Sequence, residues 1–176
     1  ALALAEQSNS PEIIRFQRGQ LATGYLGVGR YREAVDTMQQ VLADNPDPAN
    51  AVYHYAALAE GLAGLKQWDA ALEAADVAVR ESRAPNRVDT FAETLLVRAA
   101  IRRDAGQIEA ALADAREALE SLELLRMQLV PSDFQKRGFV ERFRLGYEFT
   151  IALLASAGRH SDALVAAERA RGRAFV

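Results

Sequence analysis

An all-α fold of about four helix–turn–helix pairs is predicted by three features of this 176-residue sequence. Half of the residues are apolar but only 7% are aromatic, so Ala and Leu, both strong helix formers, carry most of the apolar content. Four stretches align without gaps: "GRYREAVDTMQQVL" from Gly29, "KQWDAALEAADVAV" from Lys66, "GQIEAALADAREAL" from Gly106 and "GRHSDALVAAERAR" from Gly158. Upstream of each stretch, apolar residues recur at helical spacing.

The elements follow in chain order. "ALALAEQSNSP" lacks an initiator Met and a basic segment ahead of its apolar residues, so it is a poor signal peptide. Residues 1–10 are expected to be the end of a preceding helix, residues 11–176 a single array, and the whole a cytoplasmic fragment of a longer protein. In the first pair, Leu21, Ala22 and Tyr25 mark one helix, and Ala34, Met38 and Val41 the next. Spacings of 0, 4 and 7 place the latter three on one face, where small residues admit a neighbouring helix. The second pair has Leu58, Ala59 and Leu62, then Ala71, Ala75 and Ala78. The third has Leu95 and Ala99, then Ala111, Ala115 and Ala118. The fourth has Tyr147, Ile151 and Leu154, then Ala163, Ala167 and Ala170. Pro46 and Pro85 fall in the connections, where proline ends a helix at little cost. The repeated alanines lie 37, 40 and 52 positions apart, so the last interval predicts two longer helices, roughly 107–127 and 132–157, joined by "QLVPS". Ser132 is a suitable N-cap for the second.

A small residue before the turn, an aromatic after it and then alanine resemble the tetratricopeptide repeat. The likeness is strongest over residues 15–48, where Leu21, Ala22, Tyr25, Gly29, Tyr31, Ala34, Val41 and Pro46 occupy motif positions. Units of about 52–85, 92–128 and 132–176 follow. The second keeps Tyr55 and Trp68, while Ile108 and His160 stand at the packing position after the later turns. The resemblance implies a right-handed superhelix whose first helices line a concave groove. The groove positions it implies include Phe16, Thr23, Leu26, Tyr53, Ala56 and Glu60 in the first two units. In the last two they include Glu93, Leu96, Arg103, Leu145 and Glu148. Such a surface implies a protein or peptide partner, held by a few apolar anchors. Phe134 and Phe139, near the start of the long helix, are candidates for a separate docking patch. The clamp of cations and amides with which some of these repeats hold chaperone tails is missing. Its positions carry Gly19, Thr23, Ala57, Glu93 and Val97, or one unit on, Ala56, Glu60, Val97, Leu145 and Phe149. Chaperone C-terminal tails are therefore not the expected partner.

The closing residues add a narrower resemblance. Ala167, Glu168, Arg169, Ala170, Arg171, Arg173 and Ala174, following "LLASAGRHSDAL", are similar to the junction helix of bacterial proteins that join tetratricopeptide repeats to a CHAT domain, a caspase-like protease fold. That likeness implies a regulatory or sensor arm ahead of a protease whose His and Cys would lie beyond Val176. A self-standing adaptor or oligomerisation module of a bacterial regulator is the alternative.

The residues themselves offer little chemistry. There is no cysteine, and the two histidines, His54 and His160, lack ligand-like spacing, so neither metal nor cofactor nor catalysis is expected. "GYLGVG" lacks the order of a phosphate loop and is better explained as a helix end and turn. A net charge of −3, with Arg169, Arg171 and Arg173 unaccompanied by aromatics, argues against nucleic acid. No apolar run approaches the roughly 18 residues of a membrane span. Arg98, Arg102, Arg103, Lys136, Arg137, Arg142 and Arg144 lie among carboxylates and are expected on a solvated face, as is His54.

Overall fold

The computed structural model describes the backbone of residues 10–44, 48–84, 86–128 and 133–171; the side chains of residues 48, 49, 126–143 and 171 are outside the description. Within it the chain is α-helical: α1 (Pro11–Gly27), α2 (Tyr31–Ala43), α3 (Pro48–Gly64), α4 (Trp68–Ser82), α5 (Val88–Asp104), α6 (Ile108–Gln128), α7 (Asp133–Ser156) and α8 (His160–Arg171). The helices group into two compact units, Ala1–Ser82 and Arg83–Val176. Pro46 and Pro85 lie outside the described residues.

The four aligned stretches begin at one recurring turn. Gly29, Lys66, Gly106 and Gly158 all have positive φ, of 74°, 59°, 80° and 73°. At each, the left-handed residue donates to the carbonyl three residues back: Gly29 to Leu26, Lys66 to Ala63, Gly106 to Arg103 and Gly158 to Ala155. The next residue donates five back: Arg30 to Tyr25, Gln67 to Leu62, Gln107 to Arg102 and Arg159 to Leu154. This pair of bonds is a Schellman motif, which satisfies the carbonyls left open at a helix C-terminus. The same residue then starts the following helix, since the carbonyls of Arg30, Gln67, Gln107 and Arg159 accept from the amides of Ala34, Ala71, Ala111 and Ala163. One helix therefore ends and the next begins within three residues, and the repeated alanine closes the new helix's first turn.

In the first unit, α2 buries Ala34, Val35, Met38 and Val41, and α4 buries Ala71, Ala74, Ala75 and Ala78. Close approach of α2 to α3 depends on two glycines. A Cβ at Gly61 would lie 2.9 Å from Val35 Cγ2, and one at Gly64 would lie 2.4 Å from the Tyr31 ring. Arg15 Nη1 donates to the Asp44 carbonyl at 2.9 Å, placing a cation at the C-terminus of α2, where the helix dipole favours it. In the second unit, Ala99, Ala111, Leu112, Ala115, Leu153, Leu154, Ala163 and Ala166 form one core, flanked by Ile108, Phe149 and Ile151.

The long interval contains two long helices at 108–128 and 133–156, within a residue of the expected limits. Some side chains differ from expectation. On α8 the buried residues are Ala163 and Ala166, whereas Ala167 and Ala170 are half-buried. Ala163 and Ala166, rather than Ala167 and Ala170, join the cluster that holds Leu153 and Leu154 of α7. His160, at the packing position that Ile108 fills in the third pair, is exposed. Arg98 and Arg102 do not lie on a solvated face. They converge on Asp114, which is 3% exposed: Arg98 grips both carboxylate oxygens at 2.9 and 2.7 Å, and Arg102 reaches Oδ2 at 2.8 Å. Such a bidentate charged pair fixes the register of α5 on α6 by geometry as well as energy.

Candidate functional site

The first unit contains a cavity of about 430 Å³ between α1 and α3. From α1 it is lined by Glu12, Arg15, Phe16, Gly19, Gln20 and Thr23, from α3 by Asn50, Tyr53 and His54, and from α2 by Met38. The α1 residues Phe16, Gly19, Gln20 and Thr23 are spaced i, i+3, i+4, i+7, one continuous helical face. Phe16 and Tyr53 are 60% and 53% exposed, an unusual state for aromatic rings that could have been used in a core. Met38 is buried and gives the cavity an apolar floor. The Thr23 hydroxyl donates to the Gly19 carbonyl at 3.1 Å and keeps its lone pairs for an incoming donor.

His54 departs from the expected solvated position. It is half-buried, its ring edge packs on Gly19, where a Cβ would stand 3.3 Å from Nε2, and its buried Nδ1 has no hydrogen-bond partner among the described residues. Burial lowers its pKa below the ordinary imidazole range, so the ring is neutral at physiological pH. The sequence carries no such signal, because the gap at Gly19 faces His54 only once α1 and α3 are packed together.

The expected groove positions fall into distinct environments. Phe16, Thr23 and Tyr53 meet at the cavity. Leu26 is half-buried, within reach of a Cβ at Gly61, and so serves the packing of α1 on α3. Ala56 is half-buried and Glu60 exposed, further along α3. Desolvation raises the Glu60 carboxyl above its usual range although the group reaches solvent. In the second unit Glu93 is half-buried, and Leu96 fills the space left by Gly146, where a Cβ would lie 2.8 Å from its Cδ1. Arg103 pairs with Asp104 at 2.8 Å and stacks 5.2 Å from the Phe149 ring centre. Leu145 is exposed, and Glu148 pairs with Arg144 at 2.6 Å. The side chains of Phe134 and Phe139 lie outside the described residues.

A second cavity, about 240 Å³, lies in the second unit among α6, α7 and α8. Its polar lining is largely self-satisfied, since the Tyr147 hydroxyl donates to Glu123 and Arg159 pairs with Asp162. No helix among the described residues is long and apolar enough to cross a membrane.

No protein-family model matches the sequence, and no curated protein matches it. Solved structures do resemble it. MamA matches with a TM-score of 0.64 and 14% identity over 98% of this chain and 84% of its own. BtubC (BKLC) from P. vanneervenii matches with a TM-score of 0.57 and 17% identity, over 98% and 86%. A TPR-like protein from Chlorobium tepidum matches with a TM-score of 0.55 and 19% identity, over 79% and 93%. Identities this low speak to fold alone. With the four turns of matching φ and hydrogen bonding and their alanine-led second helices, they establish that the chain has the fold of a tetratricopeptide-type helical repeat protein.

Proposed function

We propose that this chain is a non-enzymatic scaffold that binds a protein or peptide partner in the groove between α1 and α3. The observation that carries the reading is the cavity with Phe16 and Tyr53 exposed on its walls and Met38 beneath. Exposed rings around a preformed concavity suit a partner's apolar side chain, and few such anchors supply most of an interface's affinity. Replacing Phe16 or Tyr53 by alanine should weaken a selected peptide at least tenfold, about 1.4 kcal/mol, without unfolding the chain. Unchanged affinity in both variants would sink the reading.

The finer proposal is that the scaffold serves as the regulatory or sensor arm of a CHAT-type protease. Its support is the Ala167–Glu168–Arg169–Ala170 run on α8, which resembles the junction helix of such proteins. Reading the gene beyond the codon for Val176 tests it. A strand-rich domain carrying a His and then a Cys is expected, and an unrelated domain would refute it. The adaptor or oligomerisation alternative draws on Leu164 and Val165, which are 63% and 51% exposed on α8. A dimer in solution that dissociates when these two residues are made polar would favour it.

A further inference from the structure

The charge around the groove of the first unit indicates the chemistry of its partner. Among the residues lining the cavity, Arg15 is the cation, and its guanidinium is committed to the Asp44 carbonyl at 2.9 Å. Arg18, one turn further along α1, is paired with Asp44 at 3.5 Å. The acids are differently placed. Glu12 lines the cavity, Glu60 is exposed on α3, and neither has an ion pair among the described residues. Tyr53, Ala56, Ala57 and Glu60 are spaced i, i+3, i+4, i+7, so Glu60 continues the face that Tyr53 presents to the cavity. Between them stand only alanines, which leave the wall low and open.

Glu60 is thus a carboxylate that the fold crowds but does not neutralise. Its raised pKa, caused by desolvation, reflects the missing counter-charge. A cation brought by a ligand would offset that cost, whereas an acidic ligand would add to it.

We infer that the groove selects a basic peptide, one that seats an apolar side chain between Phe16 and Tyr53 and sets a Lys or Arg against Glu60. This rests on the proposed peptide-binding reading and specifies its partner class. Tyr53 and Glu60 are two turns apart, about 10 Å along the helix axis. An extended peptide covers that distance in about three residues. The expected motif is therefore an apolar or aromatic residue with a basic residue three positions away.

The test is selection of random dodecapeptides displayed on phage against the full 176-residue chain, its Glu60→Gln variant and its Glu60→Arg variant. Circular dichroism should show all three equally helical, since Glu60 is exposed. Against the native chain, an apolar anchor with Lys or Arg three positions away is expected. Glu60→Gln should keep the anchor and lose the basic preference, and Glu60→Arg should replace it with Asp or Glu. Substituting glutamine for the basic residue in a selected peptide should weaken binding to the native chain about fivefold, and not weaken binding to Glu60→Gln. An anchor enriched without a basic neighbour, or a basic preference that survives Glu60→Gln, overturns the charge inference and leaves the groove standing. No enrichment at all overturns the groove reading itself, and this inference with it.

Discussion

Lys66 occupies the position that glycine holds in the other three turns, at φ 59° and with the same hydrogen bonds. A side chain in the left-handed region costs about 1–2 kcal/mol, from the approach of Cβ to the following carbonyl. Glycine removes that strain but adds about 0.5–1 kcal/mol of unfolded-state entropy to be overcome on folding. Lys66 is exposed and makes no side-chain bond among the described residues, so Lys66→Gly should stabilise the chain by about 0.5–1 kcal/mol, net. For a chain of this length that corresponds to a rise in Tm of about 1–4 °C. The reverse changes, Gly29→Ala, Gly106→Ala and Gly158→Ala, should each destabilise by about 1 kcal/mol, although no atom lies within 4 Å of the added Cβ at any of them. Urea unfolding followed by circular dichroism measures all four. If Lys66→Gly destabilises, or the three alanines are neutral, then the four turns do not share one strained geometry, and the reasoning from φ fails.

Asp114→Ala should cost about 3 kcal/mol, because it removes the buried carboxylate that Arg98 and Arg102 both grip and leaves two close cations; replacing all three by apolar residues should cost much less. Chemical denaturation of the single and triple variants decides this. Gly64→Ala should cost about 1–3 kcal/mol through collision with the Tyr31 ring, and most of that cost should vanish in a Tyr31→Ala background, a coupling read from a double-mutant cycle. The lowered pKa of His54 means that the unfolded chain binds its proton first as pH falls. Its contribution to stability is therefore present above the unfolded pKa, near 6.5, and is lost below it; His54→Gln should flatten the Tm profile between about pH 7 and pH 5. Glu60 has the opposite sign. Its raised carboxyl favours the protonated fold, so Glu60→Gln should stabilise at pH 7 and gain nothing below the unfolded pKa of about 4.3.

Much of the fold was legible because the repeat dictates local structure. Gly29, Gly106 and Gly158 mark turns that only a left-handed residue can make, and the alanines five residues later mark the helix face that must approach a neighbour. Lys66 could be aligned with the glycines, although nothing in its chemistry announces a positive φ. Part of the cavity lining was legible: the repeat's register places Phe16, Thr23 and Tyr53 on facing helices, and they meet there. Leu26 and Leu96 shared that register, but Gly61 and Gly146 opposite them opened spaces that the leucines fill. Which helix lies opposite which glycine is a tertiary fact. Asp114 was missed for the same reason. It stands between Leu112 and Ala115 on the buried face, where an acid needs a partner, but the two arginines that supply one precede it by 16 and 12 residues on another helix. His54 was read as solvated because a single helical position does not reveal whether the facing helix carries a side chain or, as at Gly19, a gap.

Amide and side-chain NMR shifts of the full chain, recorded as a selected peptide is titrated in, test the groove most directly. Perturbations concentrated at Phe16, Gly19, Thr23, Tyr53 and His54, and abolished by Phe16→Ala, are expected. Perturbations centred instead on Leu164 and Val165 of α8, or shifts at the groove that persist unchanged in Phe16→Ala, would contradict binding between α1 and α3.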